Sequence, residues 1–170
     1  MKTILALILF LFAVPSQADV IKDISLDVNL ASKHSVPTYR YKGRVHEYNQ
    51  KNYGLGITAS FSDLLPNNFE LSAGWYDNSY DHTTVYVAVN AKHEFRFGDF
   101  IVAPGIAFGY ATGYEKTTVK APLLQATVLP NVQISLHGVG IRIGYIPKSL
   151  FGAEVVDPVS VYTLQVRYLF

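Results

Sequence analysis

The last eleven residues, Ser160 to Phe170, constrain this chain more than any other stretch. Counting back from Phe170 in twos gives Tyr168, Val166, Leu164 and Tyr162, while Leu169, Arg167, Gln165, Thr163 and Val161 hold the other parity. A strand points alternate side chains to opposite faces, so one face of this segment is wholly apolar and aromatic and the other is mixed. An apolar face that opens and closes on aromatic residues, and ends on a C-terminal Phe, is the pattern of a closing strand in an outer-membrane barrel. It predicts a closed antiparallel sheet with lipid outside. Function must then reside in the interior or at the rims.

The other end of the chain reads as an address. Lys2 supplies a positive n-region, Ile4 to Val14 an apolar h-region, and Ser16-Gln17-Ala18 a small-x-small cleavage site before Asp19. Residues 1–18 are therefore expected to be a signal peptide and residues 19–170 the barrel domain, exported to the outer membrane of a Gram-negative bacterium. The 14 basic and 13 acidic residues nearly cancel, and they balance once Lys2 leaves with the leader. That balance offers no basic patch for nucleic acid. With no cysteine, disulfide and thiol chemistry are excluded.

Eight alternating runs follow the leader. They begin at Ile24, Tyr53, Phe69, Thr84, Phe100, Ala121, Val132 and Ser160. The sixth is expected over Ala121 to Leu129, flanked by Pro122 and Pro130. The seventh is expected over Val132 to Ile146, with a bulge near Gly138 where its parity slips. The fold class is thus an all-β, eight-stranded, antiparallel, up-and-down transmembrane barrel, expected as a monomer. Short turns are expected at Ser62 to Asn68, Gly98-Asp99 and Pro130-Asn131, and longer outer loops near 33–51, 79–83, 113–120 and 147–158.

Small barrels are normally filled by their own side chains. Here three runs turn mostly small residues inward: Gly54 and Gly56 with Thr58 and Ser60, then Ser72 with Gly74, then Ala103, Gly105, Ala107, Gly109 and Ala111. Two outcomes are open. Tyr76, Tyr86, Gln165 and Arg167 fill the space from opposite strands, or an apolar pocket remains that suits a hydrocarbon chain better than an ion or a sugar. Gly54, Gly56, Gly74, Gly105, Ala107 and Gly109 are the candidate substrate-lining positions.

No Cys or helical His-Glu spacing supports a metal site, and the Gly-rich run is a strand face and not a phosphate loop. No cofactor is expected. What remains is a set of polar residues that the strand count places at the outer rim: His34, Asp77, Asn78, Ser79, Asp81, Glu115 and Lys148. A serine, a histidine and an orienting amide or carboxylate at one rim can support acyl transfer, where a hydroxyl needs activation and an oxyanion needs donors. His34 could equally be a solvated loop residue, and Asn78-Ser79 plain turn chemistry.

The order of motifs from Tyr48-Asn49 through Asn78-Ser79, Phe108 to Tyr114, Ala121-Pro122-Leu123-Leu124 and Gly144-Tyr145-Ile146-Pro147 to the terminal Arg167-x-x-Phe170 resembles the lipid A palmitoyltransferase (PagP) family. Ala-Pro-Leu-Leu and Gly-Tyr-Ile-Pro are its more specific parts. The resemblance implies a barrel enzyme that moves an acyl (palmitoyl) chain from outer-membrane phospholipid to the lipid A of lipopolysaccharide. It also implies a His, an Asp and a Ser at the outer rim. Ser79 falls on the serine and His34 close to the histidine, whereas the aspartate's place holds Asn78, flanked by Asp77 and Asp81. Pro122 and Pro147 fall where that family interrupts strand pairing to admit lipid sideways. The alternative is a non-enzymatic barrel serving structure or surface interaction. A lipid A deacylase is a weaker third option, since the His-x-Ser pair such enzymes carry on one strand is not found.

Overall fold

The structure, a computed structural model, describes residues 21–41, 43–61, 68–114, 125–147 and 159–170, with side chains of 125–127 excepted. The leader, Pro122, Glu115, Lys148 and the expected first inward turn lie wholly or mostly outside those residues. The strands are β1 (Ile21–His34), β2 (Thr38–Tyr41), β3 (Arg44–Glu47), β4 (Gly54–Phe61), β5 (Asn68–Asp77) and β6 (Thr83–Lys92). They continue with β7 (Phe95–Phe97), β8 (Phe100–Ala111), β9 (Gln125–Leu136), β10 (Val139–Ile146) and β11 (Val161–Leu169). Eight of them form the wall in the order β6-β5-β4-β1-β11-β10-β9-β8, and β8 pairs back with β6 to close it. All these pairings are antiparallel, and β7 is a stub on the start of β8. Closure removes the free edges of an open sheet, as a lipid-embedded sheet requires, except where β9 runs past its ladder with β10.

The outer surface is apolar because the alternation is. Ile24, Leu26, Leu55, Ile57, Val89, Ile106, Ile141 and Ile143 are all exposed on it. Aromatic residues ring the two ends of this band, with Tyr53, Trp75, Tyr110 and Tyr162 near one and Phe95, Phe97, Phe100, Tyr168 and Phe170 near the other. This is the girdle arrangement of membrane barrels.

Two expected boundaries are corrected. Pro130-Asn131 is not a turn: it lies within β9, where Pro130 pairs with Ile106 and Asn131 with Gly105 of β8. Gly138 is not a bulge but the second residue of the tight turn between β9 and β10. His137 and Gly138 have φ of 48° and 79°, the left-handed pair that matches the twist of a two-residue hairpin. The β9–β10 ladder runs only from Leu136↔Val139 to Asn131↔Gly144. Pro130, lacking an N–H, marks the level at which β9 leaves β10.

The interior divides into two. Its lower half is charged, contrary to the apolar lining read from the small residues. Arg167 forks onto Asp27 through Nε (2.6 Å) and Nη2 (3.0 Å), and its Nη1 donates to Glu70 at 2.5 Å and to Gln133 at 3.0 Å. Glu70 also receives Lys92 at 2.7 Å, and it pairs with Arg142. Thr58 donates to Asp27 at 2.6 Å and meets Ser72 at 2.7 Å. Arg167 and Glu70 are among the most buried side chains, 2% and 1% exposed. Each charge has an ionic partner, which is what burial at this depth demands.

Candidate functional site

Above this network lies a cavity of about 220 Å³ that reaches the rim at the far end of β1. A bulge aims the rim residues into it. Up to Asn29 the odd residues of β1, Ser25, Asp27 and Asn29, are the buried ones, but the register with β11 slips between Asn29 and Ala31. Beyond the slip the even residues Ser32 and His34 are buried, 7% exposed each. One extra residue thus turns both side chains inward.

Ser79 comes to the same place from the β5–β6 connection. Its Oγ lies 3.5 Å from Ser32 Oγ, and Ser32, His34 and Ser79 all line the cavity. His34 stacks face to face on Tyr48, with ring centroids 4.0 Å apart and planes 3° apart. Its buried Nδ1 has no hydrogen-bond partner. Tyr39 and Tyr80 pack on Tyr48 in turn, so the β2–β3 hairpin caps the rim with aromatic rings. Burial, and then the neighbouring Tyr48 phenol, hold the Tyr80 hydroxyl well above the ordinary tyrosine range, so Tyr80 acts there as a neutral phenol.

The hairpin is tied down by the amides that follow it. Asn49 N–H donates to the Ser79 carbonyl at 2.8 Å, and Asn52 Nδ2 to the Asp77 carbonyl at 2.7 Å. Lys33, Arg40, Arg44 and Lys51 are exposed around it, with Glu47 and Asp81 the acidic residues nearby. The result is a basic apron beside the cavity mouth.

Asn78 has a different role from its neighbours. Its Oδ1 accepts the N–H groups of Tyr80 (2.9 Å) and His82 (3.1 Å), and its Nδ2 donates to Thr84 Oγ1 (3.1 Å) and the Gly113 carbonyl (2.9 Å). All its capacity goes into holding the turn, and Asp81 at that turn's tip takes φ 60°. Replacing Asn78 with Asp would put a carboxylate oxygen against the Gly113 carbonyl where a donor now sits. N78D should therefore cost about 1–3 kcal/mol, read as a lower unfolding midpoint in denaturant. Asp77 has the parity of Trp75, on the outer face, and is half-buried. Among the described residues, no hydrogen bond or ion pair joins His34 to a carboxylate.

The proposed lining positions separate into two groups. Ala107 and Gly109 line the cavity. Gly56 and Gly74 instead make room for Tyr86, whose hydroxyl lies 2.3 Å and 2.9 Å from where their Cβ atoms would be. Gly54 lies against the backbone of Trp75 and Tyr76, and Gly105 against Asn90 and Lys92. Both alternatives for the interior are thus realised at different heights: tyrosine and arginine fill one part, and a cavity occupies the other. Sequence reasoning missed Ser32, Tyr48 and Asn52 as rim residues. Asn52 had a usable signal, a polar residue just before the Gly54 strand. Ser32 had none, because the bulge reversed its expected face.

No family model matches this chain, and no curated protein matches it. Solved structures do. The outer membrane enzyme PagL is similar over 88% of this chain and 99% of its own, at 12% identity and a TM-score of 0.51. Neisserial surface protein A is similar over 87% and 96%, at 14% identity and a TM-score of 0.46. The Yersinia pestis outer membrane protein Ail is similar over 87% and 99%, at 11% identity and a TM-score of 0.43. At such identities the likeness to PagL concerns the fold alone: this chain folds as an eight-stranded barrel of the outer-membrane kind.

Proposed function

We propose that this barrel is an outer-membrane acyltransferase that moves an acyl chain from a phospholipid to lipid A. The observation that carries the reading is the single cavity joining the His34–Ser79–Ser32 rim to small-residue walls at Ala107, Gly109 and Ala111. A donor chain would lie along those walls with its ester at the rim. An acceptor hydroxyl would attack the ester carbonyl and give its proton to His34. The carbonyl–oxygen bond to the glycerol would break, and the leaving oxygen would take that proton. The Ser32 and Ser79 hydroxyls would donate to the oxyanion. Exposed Arg40 and Arg44 suit the phosphates of lipopolysaccharide. Lipid would enter where β9 leaves β10, between Pro130 and Pro147.

Ala107→Leu, which fills the cavity wall, should shorten the accepted chain, whereas Gly105, outside the cavity, should not set length. Chain-length profiles with synthetic phospholipid donors check this.

The deciding experiment is mass spectrometry of lipid A from Gram-negative cells expressing the protein, beside its Ser79→Ala variant. An added acyl chain that disappears with the variant supports the reading, and loss of a chain would indicate hydrolysis. Ser32-x-His34 on β1 does set a serine and a histidine on one strand, in the reverse order to the deacylase pair. Unchanged lipid A with folded protein would favour a non-enzymatic barrel. That second reading draws on the full commitment of Asn78 to its turn and on the absence of a carboxylate bonded to His34 among the described residues.

A further inference from the structure

The floor of the cavity differs from its walls. It is formed by Asn90, Asn131 and Arg142, where the apolar wall meets the charged network. Asn131 is 6% exposed and Arg142 7%. Arg142 spends Nη2 on Glu70 and Gln133, but its buried Nε has no hydrogen-bond partner. Asn131 spends Nδ2 on Asn90 Oδ1 (2.9 Å) and the Leu129 carbonyl (3.1 Å). These two acceptors fix which end of its amide is nitrogen, and its buried Oδ1 is left unpartnered. Arg142 lies opposite Gln133 across the β9–β10 ladder, so Asn131 is its diagonal neighbour on the same inward face, about 7–8 Å away.

One orphaned donor and one orphaned acceptor, each on a residue more than nine-tenths buried, therefore line the same floor, with the unpartnered Tyr86 hydroxyl in the same cavity. A hydrocarbon end would leave both unsatisfied, which is the costly arrangement for buried polar atoms. A carboxylate could accept from Arg142 but would oppose Asn131 Oδ1. A hydroxyl answers both, accepting from Arg142 Nε–H and donating to Asn131 Oδ1.

We propose that the cavity selects an acyl chain bearing a hydroxyl at or near the end remote from its carboxyl group, and that Arg142 and Asn131 recognise that hydroxyl. The inference deepens the acyl-site reading and rests on it, but its test is binding and not turnover. A water held at the floor has the same chemistry, and the experiment separates the two sources.

Octanoate and 8-hydroxyoctanoate would be titrated calorimetrically into the barrel in nanodiscs, with protein-free nanodiscs as the blank. The hydroxylated probe should bind about tenfold or more tightly. Asn131→Leu, which leaves every ion pair in place, should reduce that preference to near unity without weakening octanoate. Arg142→Met should do the same if it retains heat-modifiable gel mobility; Asn131→Leu decides the matter if it does not. Equal affinity for the two probes in the unsubstituted protein would overturn the proposal and assign the floor to water. Binding of neither probe would overturn the acyl cavity itself. An unchanged preference in Asn131→Leu would show that the hydroxyl is read elsewhere and would equally overturn the assignment.

Discussion

Replacing Arg167 with methionine should prevent this barrel from folding to its heat-resistant form. The guanidinium holds Asp27 in a two-pronged bond and reaches Glu70, Gln133 and Thr58 as well. Without it Asp27, 1% exposed, keeps only the Thr58 hydroxyl among these partners. Removing one member of a buried ion pair costs about 3–5 kcal/mol because the other charge is stranded. That is a large share of the stability of a domain this size. Unheated samples of R167M should run on a denaturing gel at the unfolded position, where the unsubstituted protein runs as a compact band. The double variant Asp27→Leu/Arg167→Met should recover part of the loss, since it removes both partners of that pair.

Substitution of Ser79 should have the largest effect on activity. If the rim cluster transfers acyl groups, Ser79→Ala should lower transfer to lipid A a hundredfold or more, the usual cost of losing a group that stabilises the oxyanion. Ser32→Ala should also lower it, by less than Ser79→Ala, because Ser32 meets the cluster only through Ser79, at 3.5 Å. Both variants should keep the compact gel mobility, as neither hydroxyl belongs to the charged network. Lipid A acylation in membranes, normalised to folded barrel, checks both. Equal activity of Ser79→Ala and the parent would remove the catalytic role.

The strand count and the lipid-facing side of each strand were legible because one face is continuously apolar. Ile141 and Ile143, or Leu55 and Ile57, declare their side whatever their partners are. The β9–β10 hairpin was not legible. Pro130-Asn131 carries strong turn chemistry, whereas His137 gives little sign of a left-handed conformation. The proline is tolerated because β9 at that level pairs with β8 and has already left β10. The rim was half legible. His34 and Ser79 were found by type and position, but the 3.5 Å approach of Ser32 to Ser79 spans 47 residues and depends on a bulge with no Gly or Pro to announce it. The charged interior was the least visible part. Arg167 was read as a residue that could fill the interior, but its partners Asp27, Glu70 and Arg142 carried no signal, and only closure of the sheet brings them within bonding distance.

The seam between β1 and β11 has a consequence for how the molecule comes into being. It joins the first and last strands, pairing Asp27 with Arg167 across 140 residues of chain. Contacts of such long sequence separation form slowly, because the loop must close before the contact repays it. The six intervening wall strands can zip hairpin by hairpin, and Glu70 can meet Lys92 and Arg142 as they do, yet Asp27 stays without its arginine until β11 arrives. Assembly is therefore gated by β11. Trimming the last four residues should leave a barrel that starts correctly and never completes.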